Sequence, residues 1–229
     1  MKSKAWTEKF MQGVFFIAAC ASVLAVALIC IFLFANGIPA MKEIGFGNFL
    51  SGKMWKPKNE IFGILPMIVG SLYVTAGAII FGVPIGILTA VFMAYYCPKK
   101  IYKPLKAATE LLAGIPSVVY GFFGLVVIVP LIRTIGRDLG FGGNGSSILT
   151  ASLLLGMMIL PTIIGLTESS IRAVPPHYYE GAVALGATHE RAIFRVVIPA
   201  AKSGVIAAIV LGVGRAIGAV SYTHLTLPT

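Results

Sequence analysis

Charge is what this sequence has least of. Only 11% of its 229 residues are Asp, Glu, Lys or Arg, against about 25% in soluble domains. So little charge cannot cover the surface of a water-soluble globule. Disorder is excluded by the opposite measure, because 58% of the residues are hydrophobic and disordered chains are poor in them. Acids are scarcest of all, 8 against 18 Lys and Arg. The histidines, His177, His189 and His224, lack the HExxH spacing, and no acid pair lies within an apolar run. Nothing therefore marks a metal site or a catalytic acid–base pair. Cysteine is equally sparing. Cys20 and Cys30 stand ten residues apart in one apolar run, about 15 Å on a helix, too far for a disulfide. With Cys97 they read as packing thiols. What remains is an integral membrane protein, and its mean hydropathy of +0.93 agrees.

The apolar runs can be counted as spans. Gly13–Ala35 is uncharged for 23 residues, about 35 Å as a helix, enough for a ~30 Å hydrocarbon core. It reads as an uncleaved anchor. Gly63–Tyr96 is uncharged for 34 residues, about 51 Å as one helix, so a break is expected at Pro66 and Pro84. Gly82 and Gly86 form a GxxxG pair that would let another helix approach closely. Leu111–Ile132 is a third span. Ser147–Thr167 is a fourth, with an interruption expected at Pro161. A glycine-rich loop, residues 133–146, joins them. A fifth span begins near Ser203. The expected architecture is all-α, a polytopic transmembrane bundle of about five helices.

The net charge of +10 would suggest nucleic acid in a soluble protein. Here it falls in the loops and sets orientation instead. With the N-terminus in the cytoplasm, segments 1–12, 97–110 and 168–202 carry 11 Lys and Arg, and the outer segments carry 6. That bias favours a cytoplasmic N-terminus. No nucleic-acid partner is expected, and membrane lipid is.

A nucleotide motif almost forms at Gly47-Asn-Phe-Leu-Ser-Gly-Lys53-Met54. Met54 stands where a P-loop needs Ser or Thr for magnesium, and Trp55-Lys56-Pro57 follows instead of a helix. The chain is expected to be no enzyme, to hold no cofactor and no metal, and not to hydrolyse ATP by itself.

The inner segment 168–202 is the most informative. Pro175-Pro176 can open a helix. Residues 178–185 have a helical pattern, Gly186 is a C-terminal breaker, and Thr188 is a candidate N-cap with Glu190 in the first turn. Arg191 and Arg195 are i,i+4 neighbours. The small residues Gly181, Ala182, Ala184 and Ala187 would let a partner approach, and Glu180 would orient it. The residues alone leave two readings open: a docking unit, or a helix pair lying on lipid.

A resemblance favours the first. Glu180-Gly181-Ala182, three residues, Gly186, nine residues, then Val196-Val197-Ile198-Pro199 resembles the signature of ABC importer permeases, which reads Glu-Ala-Ala, three residues, Gly, nine residues, Ile-x-Leu-Pro. The resemblance implies that Glu180, Gly181, Ala182, Gly186, Ile198 and Pro199 belong to a loop that seats in a cytoplasmic ATPase. Glu110–Gly124 (ELLAGIPSVVYGFFG) and Gly212–Gly218 (GVGRAIG) resemble two signatures of phosphate ABC transporter permeases, of the PstC type from the N-terminal portion.

Arg215 follows 12 uncharged residues. A central arginine costs about 2.5–3.5 kcal/mol to insert, so it should face a cavity or a partner. Its forked donors suit an oxyanion, whereas a structural pair with an acid on another helix is the alternative. The resemblance implies that Arg215 lines a phosphate path. It also implies a type I (MetI-like) permease fold, a bacterial inner-membrane location, a second homologous permease subunit, cytoplasmic ATPase subunits and an extracytoplasmic phosphate-binding protein. Another oxyanion such as sulfate or molybdate, or a non-transport membrane scaffold, are the alternative functions. The family continues from Gly218 with a glutamate and further helices. This chain reads Ala219 there, so the expected organisation is an anchor and outer loop at 1–62, an incomplete permease core at 63–218 and a non-native tail at 219–229.

Overall fold

The structure, a computed structural model, describes residues 2–56, 60–138, 140, 145 and 147–218. The expected tail at 219–229 lies outside them. The chain divides into two compact units, residues 1–68 and 69–229.

In the first unit, helix α1 runs Lys2–Ile44, about 64 Å at 1.5 Å per residue. It extends well beyond the apolar run on both sides, and passes through Pro39. Its described side chains from Glu8 onward are almost all exposed, although its run from Gly13 to Ala35 is apolar all round. Gly45, at φ 88°, turns the chain into α2, Phe46–Ser51. Strands β1, Trp55–Lys56, and β2, Ile61–Phe62, then pair antiparallel, with Trp55 opposite Phe62 and their rings edge-on at 5.6 Å. This ribbon is the one departure from an all-α fold among the described residues. The near P-loop falls here: Gly47–Ser51 lies in α2 and the chain after it is extended. Gly52, Lys53 and Met54 lead into β1 rather than a helix, so the phosphate cradle of that motif is not built.

The second unit is a helical bundle around α7, Ile148–Arg172. Helix α3, Leu65–Val91, continues through a π-helical turn, Phe92–Tyr96. Two expectations fail at prolines. The chain is helical through Pro84 and through Pro161, although each lacks the N–H that the helix wants. Neighbouring helices hold a span together around such a residue. A Cβ on Gly82 would meet the Ile159 side chain and the Gly156 carbonyl at 3.0–3.1 Å, and one on Gly86 would meet Ile163 Cγ2 at 2.7 Å. The GxxxG pair thus brings α3 against α7, and that packing carries α3 past Pro84.

Helix α4 is Lys99–Gly114 and α5 is Ser117–Phe123. The third apolar run was expected to start at Leu111, yet Leu111–Gly114 belongs to α4 and the chain breaks at Ile115–Pro116. The pyrrolidine ring of Pro116 pushes Ile115 out of the helical region, to φ −69°, ψ 124°. A second π-turn, Gly124–Ile128, leads into α6, Val129–Asp138. After α7 come α8, Pro176–Ala184, and α9, His189–Ala192. A third π-turn, Ile193–Val197, leads to α10, Ile198–Ala200, and then α11, Lys202–Gly218.

Four helical stretches are long and apolar enough to cross a membrane: Glu8–Ile44, Leu65–Tyr96, Ser117–Asp138 and Ile148–Arg172. The pair His189–Ala200 and Lys202–Gly218, bent by 70°, makes a fifth if counted as one. Two buried clusters fill the bundle. One joins Val74 and Ala78 of α3, Ile159 and Ile163 of α7, and Ala216 of α11. The other joins Val91, Ile171, Ile193, Val197 and Val205 at the end of the bundle where α8 emerges.

Candidate functional site

Three features of the second unit bear on function. The segment with the permease spacing folds as its local signals require. Pro176 opens α8. The Gly186 N–H donates to the Val183 carbonyl at 2.9 Å and the Ala187 N–H to the Ala182 carbonyl at 3.1 Å, with Gly186 at φ 85°. That is a Schellman stop. Thr188 Oγ1 accepts from the Arg191 N–H at 3.4 Å and caps α9. Glu180, Gly181, Gly186 and Pro199 are exposed, Ala182 is half-buried, and Ile198 turns inward onto the second cluster. Leu185, 92% exposed, stands at the tip. Beside it a groove of about 350 Å³ runs between Ala182, Gly186, Arg191 and Arg195.

The unit is fixed to the bundle by aromatic residues that sequence reasoning did not single out. The Tyr179 hydroxyl and His189 Nδ1 share a hydrogen bond of 2.7 Å. The ring of Tyr96, from the π-turn after α3, meets His189 edge-on at 5.0 Å.

The second feature was also missed. Glu168, at the end of α7, is 2% exposed in its side chain. Its carboxylate accepts from the Tyr102 hydroxyl, Lys106 Nζ and Arg172 Nε, each at 2.6 Å. Arg172 also donates to the Met93 carbonyl at 2.8 Å and lies over the Tyr102 ring, 4.6 Å from its centroid. One carboxylate thus ties α4 to α7, and Arg172 ties both to the π-turn after α3. The hydrogen bond from Lys106 to Glu168 holds the ammonium pKa above the ordinary lysine value, against the opposing effect of burial. The Tyr102 phenol is raised by its own hydrogen bond to the same carboxylate. The only sequence signal was a lone acid closing a long apolar run.

The third is Arg215, on the last turn of α11. Its Nη1 donates to Thr162 Oγ1 at 2.5 Å. Thr162 directly follows Pro161 on α7. Arg215 has no acid partner among the described residues; a hydroxyl holds it instead. Beside it opens a cavity of about 390 Å³, walled by Gly114, Pro116, Ser117, Tyr120 and Met158. The break in the third apolar run therefore faces the arginine. A guanidinium that gives one N–H to a single acceptor keeps its other donors for an anion.

Residues 82–227 match the family described as binding-protein-dependent transport system inner membrane component. The chain belongs to that family: it is a membrane-embedded permease component of an ABC transporter. It is 36% identical over 216 residues to the phosphate transport system permease protein PstC of Mesorhizobium japonicum, covering 86% of this chain and 66% of that protein. It is 32% identical over 231 residues to PstC of Haemophilus influenzae, covering 94% and 73%. The chain spans about two thirds of the length of the first of these relatives. Among solved structures, an inward-facing MetNI methionine ABC transporter matches 69% of each chain with a TM-score of 0.51 at 20% identity. The fold is thus that of MetI-type permeases.

Proposed function

We propose that this chain is the transmembrane subunit of an ATP-driven importer for inorganic phosphate in a bacterial plasma membrane, with its N-terminus in the cytoplasm. It pairs with a second homologous permease, cytoplasmic ATPase subunits and an extracytoplasmic phosphate-binding protein. ATP hydrolysis belongs to the ATPase subunits; the near P-loop lies in α2 and the residues just before β1. Closure of the ATPase pair pulls on residues 176–199, seated through Leu185 and the small-residue face of α8. The bundle tilts, the path opens outward, and phosphate delivered by the binding protein reaches Arg215.

The observation that carries this reading is Arg215 at the edge of a cavity, held by Thr162 with donors to spare. Relatives named for phosphate transport support the choice of anion. In the full-length permease assembled with its partners, Arg215→Ala is expected to lower phosphate uptake at least tenfold while the ATPase still co-purifies, since a charge-assisted hydrogen bond contributes about 1.5–3 kcal/mol. Unchanged uptake would remove Arg215 from the path. Competition that favours sulfate or molybdate over phosphate would reassign the anion.

A further inference from the structure

The cavity beside Arg215 has a second polar wall. Ser117 lines it, directly after the break, where Ile115 and Pro116 are extended with ψ of 124° and 139°. The buried Tyr120 donates its hydroxyl to the Leu112 carbonyl at 2.9 Å, which ties the two sides of the break together and fixes the bend. Ser117 sits within that bend, half-buried. Its hydroxyl has no hydrogen-bond partner among the described residues. Thr89, Thr134, Ser169 and Ser170 each donate to the carbonyl four residues back, whereas the buried helical hydroxyls of Thr75 and Thr167 have no partner and line no part of this cavity. Ser117 has no carbonyl in that position, because the helix is interrupted just before it. Its donor and its lone pairs are left for whatever enters the cavity. At about 30 Å³ per water, 390 Å³ has room for a tetrahedral oxyanion and part of its hydration shell.

The chemistry of the two side chains is complementary. A guanidinium only donates, whereas a hydroxyl both donates and accepts. Orthophosphate near neutral pH keeps at least one proton, and sulfate keeps none. A site made of arginine alone would hold either ion; an added acceptor rewards the protonated one. We infer that Ser117 is the second ligand of the anion that Arg215 receives, and that its hydroxyl accepts the proton which phosphate carries. This rests on the phosphate reading above.

The test is direct binding of orthophosphate, followed by phosphorus NMR, to the full-length transporter assembled in lipid nanodiscs without its binding protein, with sulfate as competitor. Ser117→Thr and Ser117→Val have the same shape and differ in the hydroxyl, so packing effects cancel. Ser117→Val is expected to weaken phosphate binding about tenfold to a hundredfold, the worth of a hydrogen bond to a charged group. Ser117→Thr should stay within about threefold of the parent, and sulfate binding should be nearly the same in both. Equal phosphate affinity in the two variants, with Arg215→Ala still abolishing binding, overturns the assignment of Ser117 and leaves the phosphate reading standing. Equal loss of phosphate and sulfate in Ser117→Val overturns the acceptor role. If Arg215→Ala binds phosphate as the parent does, or the parent does not bind it, both conclusions fall together.

Discussion

Removing the Glu168 carboxylate should loosen the end of the bundle from which α8 emerges. In Glu168→Ala, Lys106 and Arg172 lose the carboxylate they are ion-paired with, and Tyr102 loses its acceptor. Breaking a fully buried ion pair from one side costs about 3–5 kcal/mol. Here the cations are 28% and 45% exposed, so water recovers part of that, and about 2–3 kcal/mol remains. For a chain of this size about 1 kcal/mol moves the unfolding midpoint by ~2–4 °C, which gives a fall of roughly 4–12 °C. Glu168→Gln keeps the shape and one accepting oxygen, but it removes the negative charge and sets an amide NH2 where a donor now binds, and should lose about half as much. Tyr102→Phe removes one neutral donor and should cost about 1 kcal/mol. The assay is thermal unfolding of the detergent-solubilised chain, followed by size-exclusion recovery. The order alanine, glutamine, then Tyr102→Phe is the diagnostic. A Glu168→Ala chain as stable as the parent would show that desolvation of the carboxylate cancels its three bonds, and the argument for a clamp would fail.

The same cluster has an alkaline limit. The Lys106 pKa is raised in the folded state, so its contribution is fully present below the ordinary lysine value of 10.5 and is lost only as pH climbs through the higher folded value. Stability against pH should therefore show no Lys106-dependent step between neutrality and that value; a loss near pH 8 that Lys106→Met removes would contradict this. Gly86→Ala forces a methyl toward the fully buried, β-branched Ile163 and should destabilise by about 1–3 kcal/mol, measured as above; Gly70→Ala, which meets nothing within 4 Å, is the control. Leu185→Asp should cut co-purification with the ATPase at least tenfold, the size expected for an exposed apolar anchor, while thermal stability stays unchanged. Retained association would move the contact elsewhere.

What the sequence made legible was local or periodic. Apolar runs located the spans, and Pro176, Gly186 and Thr188 marked the ends of α8 and α9 because capping acts over three or four residues. Orders of proximity across the chain were not legible. Glu168 meets Tyr102 and Lys106 more than 60 residues away, and nothing in the spacing pairs them. Thr162 was likewise invisible as the partner of Arg215, 53 residues on. The prolines misled in both directions. Pro84 and Pro161 looked like breaks but are carried by packing on neighbouring helices. Pro116 was passed over inside an apolar run, yet it opens the bend that faces the arginine.

The bilayer has two different holds on this chain. A helix such as α1, 37 residues from Glu8 to Ile44 and exposed along its length within its own unit, must answer to membrane thickness by tilting, because each ångström of mismatch carries a cost. Helix α7 is sheathed by α3, α4 and α11 and has little surface that lipid can reach. Thinning the membrane would therefore swing α1 directly, but would act on α7 only through the helices that enclose it.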